Sequence, residues 1–143
     1  MAPRTVMSFD YGARRIGVAV GQELTATTQS LATVAVSNNK PDWPHITRLL
    51  DEWRPDLIIV GLPLNMDGSE HEMSRAARRF ANRLNGRYNI AVEMVDERLT
   101  SLEAEEIVTR QRRSGERRKR DAKTGIDQIA AELILRSWFL RDY

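Results

Sequence analysis

Three acidic positions in this sequence stand where the surrounding pattern is apolar. Asp10 ends the first apolar run, Asp96 and Glu97 follow the run 90–95, and Asp127 begins a helical stripe of apolar residues at i+3, i+4, i+7 and i+11. A buried carboxylate without a partner costs free energy, so each of these acids needs an explanation. They are the candidates for chemistry.

Each candidate also has a plainer interpretation. Asp10 with Tyr11 and Gly12 could begin a turn. Asp127 could interact with the start of its helix, although the helix dipole explains an acid and not the face that it occupies. Strand alternation lets only one of Asp96 and Glu97 face inward. We choose Glu97 and assign Asp96 to the turn, but the spacing leaves that choice open.

The chemistry that suits these residues is metal-assisted hydrolysis. The chain has no cysteine and only two histidines, which excludes thiolate zinc sites, disulfide frameworks and cysteine nucleophiles. Three carboxylates form an oxygen-donor site for Mg²⁺ or Mn²⁺. With a phosphodiester as substrate, two such ions can activate water and stabilise the leaving oxygen. The acids therefore predict phosphodiester hydrolysis.

The basic residues are concentrated in one segment. Residues 110–123 hold eight arginines and lysines against two acids, while the whole chain has a net charge of only +2. Such a cluster favours contact with nucleic acid, because neutralised phosphates release counterions; a solvated loop is the alternative. Candidate nucleic-acid-binding residues are Arg14, Arg15, Arg98, Arg112, Arg113, Arg117, Arg118, Lys119, Arg120 and Lys123.

Hydrophobic periodicity predicts five strands and four helices in the order βββαβαβαα. Strands are expected at residues 6–11, 16–20, 27–36, 57–60 and 90–95. Helices are expected between Pro44 and Pro55, at about 70–84, from a Thr100–Glu103 capping box into the basic segment, and from near Gly125. This order is typical of an α/β protein with a mixed sheet flanked by helices.

The length of 143 residues predicts one domain, residues 1–143. The chain has no apolar run of about 20 residues and no secretory signal at its amino terminus, so we expect a cytoplasmic protein without a membrane partner.

Four blocks of residues, in order along nearly the whole chain, closely resemble the YqgF/RuvX family. They are Phe9-Asp10-Tyr11-Gly12 with Arg14-Arg15-Ile16-Gly17, Ile59-Val60-Gly61-Leu62-Pro63 with Met66-Asp67-Gly68, Asp96-Glu97-Arg98-Leu99-Thr100, and Asp127 with Ala130-Ala131. Members of that family are described as nucleases of precursor 16S ribosomal RNA, and earlier as Holliday-junction resolvases.

The resemblance implies a ribonuclease H-like fold with a mixed five-stranded sheet, three antiparallel strands first and then parallel ones. It implies a bacterial cytoplasmic protein that processes the 5′ end of precursor 16S ribosomal RNA. It also puts the acidic triad on Asp10, Glu97 and Asp127, as catalytic residues and as ligands of Mg²⁺ or Mn²⁺, and so decides between Asp96 and Glu97.

Other functions remain open from the residues. Asp-Tyr-Gly before a hairpin is similar to the first phosphate loop of actin-like ATPases, but those proteins need two such domains. A resolvase of branched DNA would work as a symmetric dimer, and the sequence does not distinguish a monomer from a homodimer. A non-catalytic RNA-binding module for ribosome assembly could keep the same acids. Arg98 has two interpretations, a pair with Asp96 or a contact with phosphate.

Overall fold

A six-stranded mixed sheet forms the centre of the computed structural model, which describes residues 4–98 and 122–140. The strands are β1 (Thr5–Tyr11), β2 (Arg15–Gln22), β3 (Thr27–Ser37), β4 (Lys40–Pro41), β5 (Leu57–Leu62) and β6 (Ala91–Asp96). Their order is β4-β3-β2-β1-β5-β6. Strands β1 to β4 form antiparallel pairs, while β5 lies parallel to β1 and β6 parallel to β5. The predicted α/β class and the antiparallel-then-parallel arrangement are confirmed.

The sheet has one strand more than the five predicted. The additional strand, β4, is only two residues long and lies at the sheet edge. It is formed by a tight hairpin in which Asn38 and Asn39 have φ values of 52° and 62°. Left-handed backbone at both central residues is what a two-residue hairpin of type I′ requires, and asparagine tolerates it better than most residues.

Three helices are described: α1 (Trp43–Trp53), α2 (Glu72–Tyr88) and α3 (Ala122–Phe139). Asp42 caps α1 by accepting a hydrogen bond from the His45 amide at 3.2 Å, and Arg54 ends it with left-handed backbone, φ 44°. Helix α2 continues past the predicted end at Leu84 to a left-handed cap at Asn89. The helix predicted from Thr100 lies outside the described residues. Within the described ranges, no helix is long and apolar enough to span a membrane.

The sheet buries its two faces against different helices. Met7 and Phe9 pack with side chains of α1 and α2 in one apolar cluster. Val6 and Ile59 pack with α3 on the opposite face. Because successive residues of a strand alternate between faces, Asp10 lies on the α3 side, as do Val6 and Ser8. The buried Ser8 hydroxyl donates to a carbonyl of α3 at 2.6 Å.

Candidate active site

Two predicted site residues meet at the carboxyl edge of the parallel strands. Asp10 lies near the end of β1, and Glu97 follows β6 directly. Both strands run parallel to β5, which separates them, so their carboxyl ends reach the same edge. Gly61 of β5 leaves room for the Glu97 side chain, because a Cβ at that position would lie 2.3 Å from Glu97 Oε2. Only glycine there allows the carboxylate to occupy this position.

Asp10 and Glu97 are joined by a hydrogen bond. Burial, then the charge of Asp10 and this hydrogen bond, raise the pKa of Glu97 to about 9. Burial also raises the pKa of Asp10, to about 6; the hydrogen bond from Glu97 lowers it, and the nearby charge of Asp127 raises it further. At neutral pH the Glu97 carboxyl therefore keeps its proton and donates a hydrogen bond to the Asp10 carboxylate.

The third predicted residue, Asp127, is brought to the same region by α3. Its carboxylate accepts a hydrogen bond from Arg15 Nε at 2.8 Å, in an ion pair that links the first residue of β2 to the helix. The helix can approach this closely because residue 17 is glycine: a Cβ there would lie 1.9 Å from the Asp127 carbonyl oxygen. The structure therefore brings Asp10, Glu97 and Asp127 into one region from three separate elements.

The donor set suits a hard divalent cation, since all three candidates offer carboxylate oxygens. A cation could take the place of the proton that Glu97 and Asp10 share, because burial of two neighbouring acids raises both pKa values and favours any positive charge between them. In residues 4–98 and 122–140, no three histidine or acidic side chains are grouped closely enough to bind one ion. Asp10 and Glu97 together offer two carboxylates to such an ion, while the nearby Asp127 carboxylate is bound to Arg15.

Asp96 and Arg98 flank Glu97 and pair with each other. The carboxylate of Asp96 lies 2.6 Å from Arg98 Nη2, and Arg98 Nη1 also donates to the Met66 carbonyl at 3.2 Å. The structure thus turns Glu97 inward and Asp96 outward. Of the two interpretations of Arg98, it has the pair with Asp96, and this pair ties the end of β6 to the loop after β5.

The remaining predicted nucleic-acid-binding residues are only partly described. Arg14 is exposed in the β1–β2 turn, and its carbonyl accepts a hydrogen bond from the Val36 amide at 2.9 Å. Arg15 is bound to Asp127, as above. Six of the predicted residues lie outside the described ranges, as does the side chain of Lys123: Arg112, Arg113, Arg117, Arg118, Lys119 and Arg120.

Sequence reasoning missed two features of this region. The first is the contact between Arg15 and Asp127, which are 112 positions apart; the apolar context of Asp127 indicated that it needed a partner but not which one. The second is a cavity of about 230 Å³ on the other face of the sheet, where Arg79 and Arg83 of α2 line a pocket with Tyr11 and Phe80. In the sequence, the one indication of this pocket is that the two arginines are four residues apart and so share a helix face.

Comparison with known proteins identifies the fold first. RuvC of T. thermophilus, solved in complex with a Holliday junction substrate, matches 96% of this chain and 95% of its own with a TM-score of 0.54 at 16% identity. Similarity at that level concerns the fold alone. The fold is ribonuclease H-like, as the resemblance implied.

Sequence comparison then identifies the family. The model of RuvX, described as Holliday junction resolvase, matches residues 4–141. A protein of Nitrosococcus oceani named "Putative pre-16S rRNA nuclease" is 52% identical over 95% of this chain and 86% of its own. One of the same name from Saccharophagus degradans is 48% identical over 97% and 95%. The chain belongs to the RuvX family.

Proposed function

We propose that this chain is a metal-dependent nuclease that hydrolyses phosphodiester bonds in the 5′-end processing of precursor 16S ribosomal RNA. The observation that carries the proposal is the buried Asp10–Glu97 pair at the carboxyl edge of the sheet, with Asp127 beside it. The carboxyl edge of parallel strands is where α/β sheets bind ligands. A buried acid pair that shares a proton is costly to the fold, so a role in chemistry is the economical explanation.

In this proposal Asp10, Glu97 and Asp127 are the catalytic residues and would hold Mg²⁺ or Mn²⁺. The bound ions would supply an activated water at neutral pH and stabilise the oxygen that leaves the phosphate. The residues of the chain prepare the site for them. Glu97 carries a proton on its carboxyl group and would release it to solvent on binding a cation, because the positive charge of the ion would offset the cost of burying two carboxylates together.

The fixed positions of the carboxylates also contribute to the reaction. The backbone of Glu97 is held in place, since its amide donates a hydrogen bond to the Leu62 carbonyl at 3.1 Å. Asp10 lies within the paired part of β1, opposite Gly17 of β2. Because the backbone at both acids is hydrogen-bonded, the carboxylates do not have to be ordered when substrate binds, and that entropic cost is avoided.

RNA as the substrate is supported by the relatives, which are named for precursor 16S ribosomal RNA. A protein that acts on that RNA would work in the cytoplasm, and we propose this location for the chain. Branched DNA is a second candidate, supported by the family description and by the junction bound to the RuvC structure. A cluster of acids would repel the phosphates of either substrate. We therefore propose that the basic segment at residues 110–123 attracts the nucleic acid to the site.

Cleavage of two substrates side by side tests this proposal. The purified protein is incubated with a precursor 16S RNA fragment and with a four-way DNA junction, each with Mg²⁺, Mn²⁺ or EDTA. We expect metal-dependent cutting of the RNA that D10N, E97Q and D127N each abolish. The exposed Asp51 of α1 offers a matched control, and D51N should cut at the wild-type rate.

The outcomes separate the candidate functions. Cutting of the junction and not of the RNA would establish a DNA resolvase. Binding of the RNA without cutting, in the presence of either metal, would refute the nuclease and establish an RNA-binding module for ribosome assembly. Full activity in any one acidic variant would remove that residue from the site.

A further inference from the structure

Arg15 forms an ion pair with Asp127, the third carboxylate of the candidate site. Its Nε atom lies 2.8 Å from Asp127 Oδ2, and the exposed fractions are 31% for the arginine side chain and 24% for the aspartate. The contact joins β2 to α3. Asp10 and Glu97 are hydrogen-bonded to each other, whereas Asp127 is paired with the positive charge of Arg15.

The backbone of Asp127 is fixed, and its side chain is the part that can change position. Its carbonyl oxygen lies against Gly17, where there is no room for even one additional carbon atom. The side chain of the next residue, Gln128, donates from Nε2 to the Thr33 hydroxyl at 3.0 Å. These two contacts anchor the start of α3 on β2 and β3. With this backbone fixed, rotation about the side-chain bonds is the way in which the Asp127 carboxylate can leave Arg15.

Arg15 has donors to spare for a second anion. Only Nε binds Asp127, and among the described residues the two terminal Nη atoms have no hydrogen-bond partner. A guanidinium presents its donors as a planar fork that matches a phosphate with two parallel hydrogen bonds. With about a third of the side chain exposed, a phosphate can reach those donors from solvent.

We propose that Arg15 is a switch between Asp127 and the substrate: it occupies the Asp127 carboxylate in the resting protein and transfers to a backbone phosphate when nucleic acid binds. The transfer frees Asp127 to complete the metal site. The inference rests on the proposed nuclease function. It makes metal binding and nucleic-acid binding mutually reinforcing, because each removes a competitor of the other.

A purely structural bridge between β2 and α3 makes the opposite prediction. If Arg15 only fastened the helix, its removal would loosen the site, and metal affinity would fall. If Arg15 only contacted phosphate, its removal would leave metal affinity unchanged. An increase in metal affinity together with weaker RNA binding is expected of the switch and of neither of these two alternatives.

The test measures metal and RNA binding separately. Mn²⁺ binding without nucleic acid is followed by isothermal titration calorimetry, and binding of a precursor 16S RNA fragment in EDTA by fluorescence anisotropy at several salt concentrations. We expect R15Q to bind Mn²⁺ about two- to fivefold more tightly than the wild type, the range of a partly exposed ion pair. The same variant should bind RNA more weakly, with a salt slope smaller by about one.

Two variants serve as controls. R14Q removes the neighbouring exposed arginine and should weaken RNA binding without changing Mn²⁺ affinity. R15K keeps the cation and should bind Mn²⁺ as the wild type does. Circular dichroism establishes that each variant is folded, and R15M replaces R15Q if the glutamine variant is not.

The outcomes are distinguishable from those of the nuclease proposal. Equal or weaker Mn²⁺ binding in R15Q, with a wild type that binds Mn²⁺, would overturn the switch and leave the nuclease intact. Failure of the wild type itself to bind Mn²⁺ would overturn the metal site and the switch together.

Discussion

Replacing Glu97 with glutamine is expected to stabilise the metal-free protein at alkaline pH while abolishing its activity. The pKa of this carboxyl is raised from 4.5 to about 9. Below pH 4.5 the group is protonated in both the folded and the unfolded chain, so it costs the fold nothing. As the pH rises toward 9, the unfolded chain releases the proton and the folded chain keeps it, so stability is lost.

The size of the effect follows from this window. At about 1.4 kcal/mol per pH unit, the interval between 4.5 and an assay at pH 8 gives an upper limit of about 5 kcal/mol. Asp10 shares the same proton, and its pKa is also raised, so part of the cost remains after the substitution. We expect a gain of about 2–5 kcal/mol, or roughly 6–15 °C in the melting temperature of a chain this long.

Calorimetric melting in EDTA between pH 4.5 and 8.5 measures this gain. The variant E52Q makes the same substitution at an exposed position of α1 and should melt with the wild type throughout. Addition of Mn²⁺ should stabilise the wild type and leave E97Q unchanged. A gain for E97Q that is absent at pH 8, or of equal size at pH 5 and pH 8, would refute the account of a buried, proton-sharing pair.

Three further predictions concern other parts of the structure. G17A should destabilise the fold by about 1–3 kcal/mol and weaken Mn²⁺ binding, because the added carbon meets the backbone of Asp127. Its control is G86A, which has open space in α2 and should be neutral or stabilising by up to about 1 kcal/mol in urea unfolding. S8A should cost about 0.5–1.5 kcal/mol in the same assay, since it removes a buried hydrogen bond between β1 and a carbonyl of α3. Charge-neutral replacements across residues 110–123 should flatten the dependence of RNA affinity on salt; an unchanged slope would show that the segment is a solvated loop.

Much of the fold could be predicted because local patterns carry it. The apolar runs of β1 and β5 indicated buried strands, and Pro44 and Pro55 marked the bounds of α1. Strand β4 could not be found in this way, since two residues contain no periodicity. The predicted end of α2 at Leu84 was also wrong. The turn of helix between Leu84 and Tyr88 carries polar residues that a hydrophobic pattern does not register, and its end is set by the backbone of Asn89.

The acids of the site could be predicted as a set because each breaks a pattern, but their relations could not. Glu97 and Asp96 are neighbours in sequence, and only the path of the chain after β6 turns one toward Asp10 and the other toward Arg98. The hold of Arg15 on Asp127 depends on the docking of α3 against Gly17. No spacing rule connects residues so far apart in the chain.

The docking of α3 against Gly17 also has a consequence for the timing of activity. A chain still being synthesised carries Asp10 and Glu97 before Asp127 has been made. The fold supplies the third carboxylate last, when the final described helix packs against β2. If the protein is the nuclease that we propose, a nascent or truncated chain without α3 cannot cleave the ribosomal RNA around it. Activity then appears only when the fold is complete.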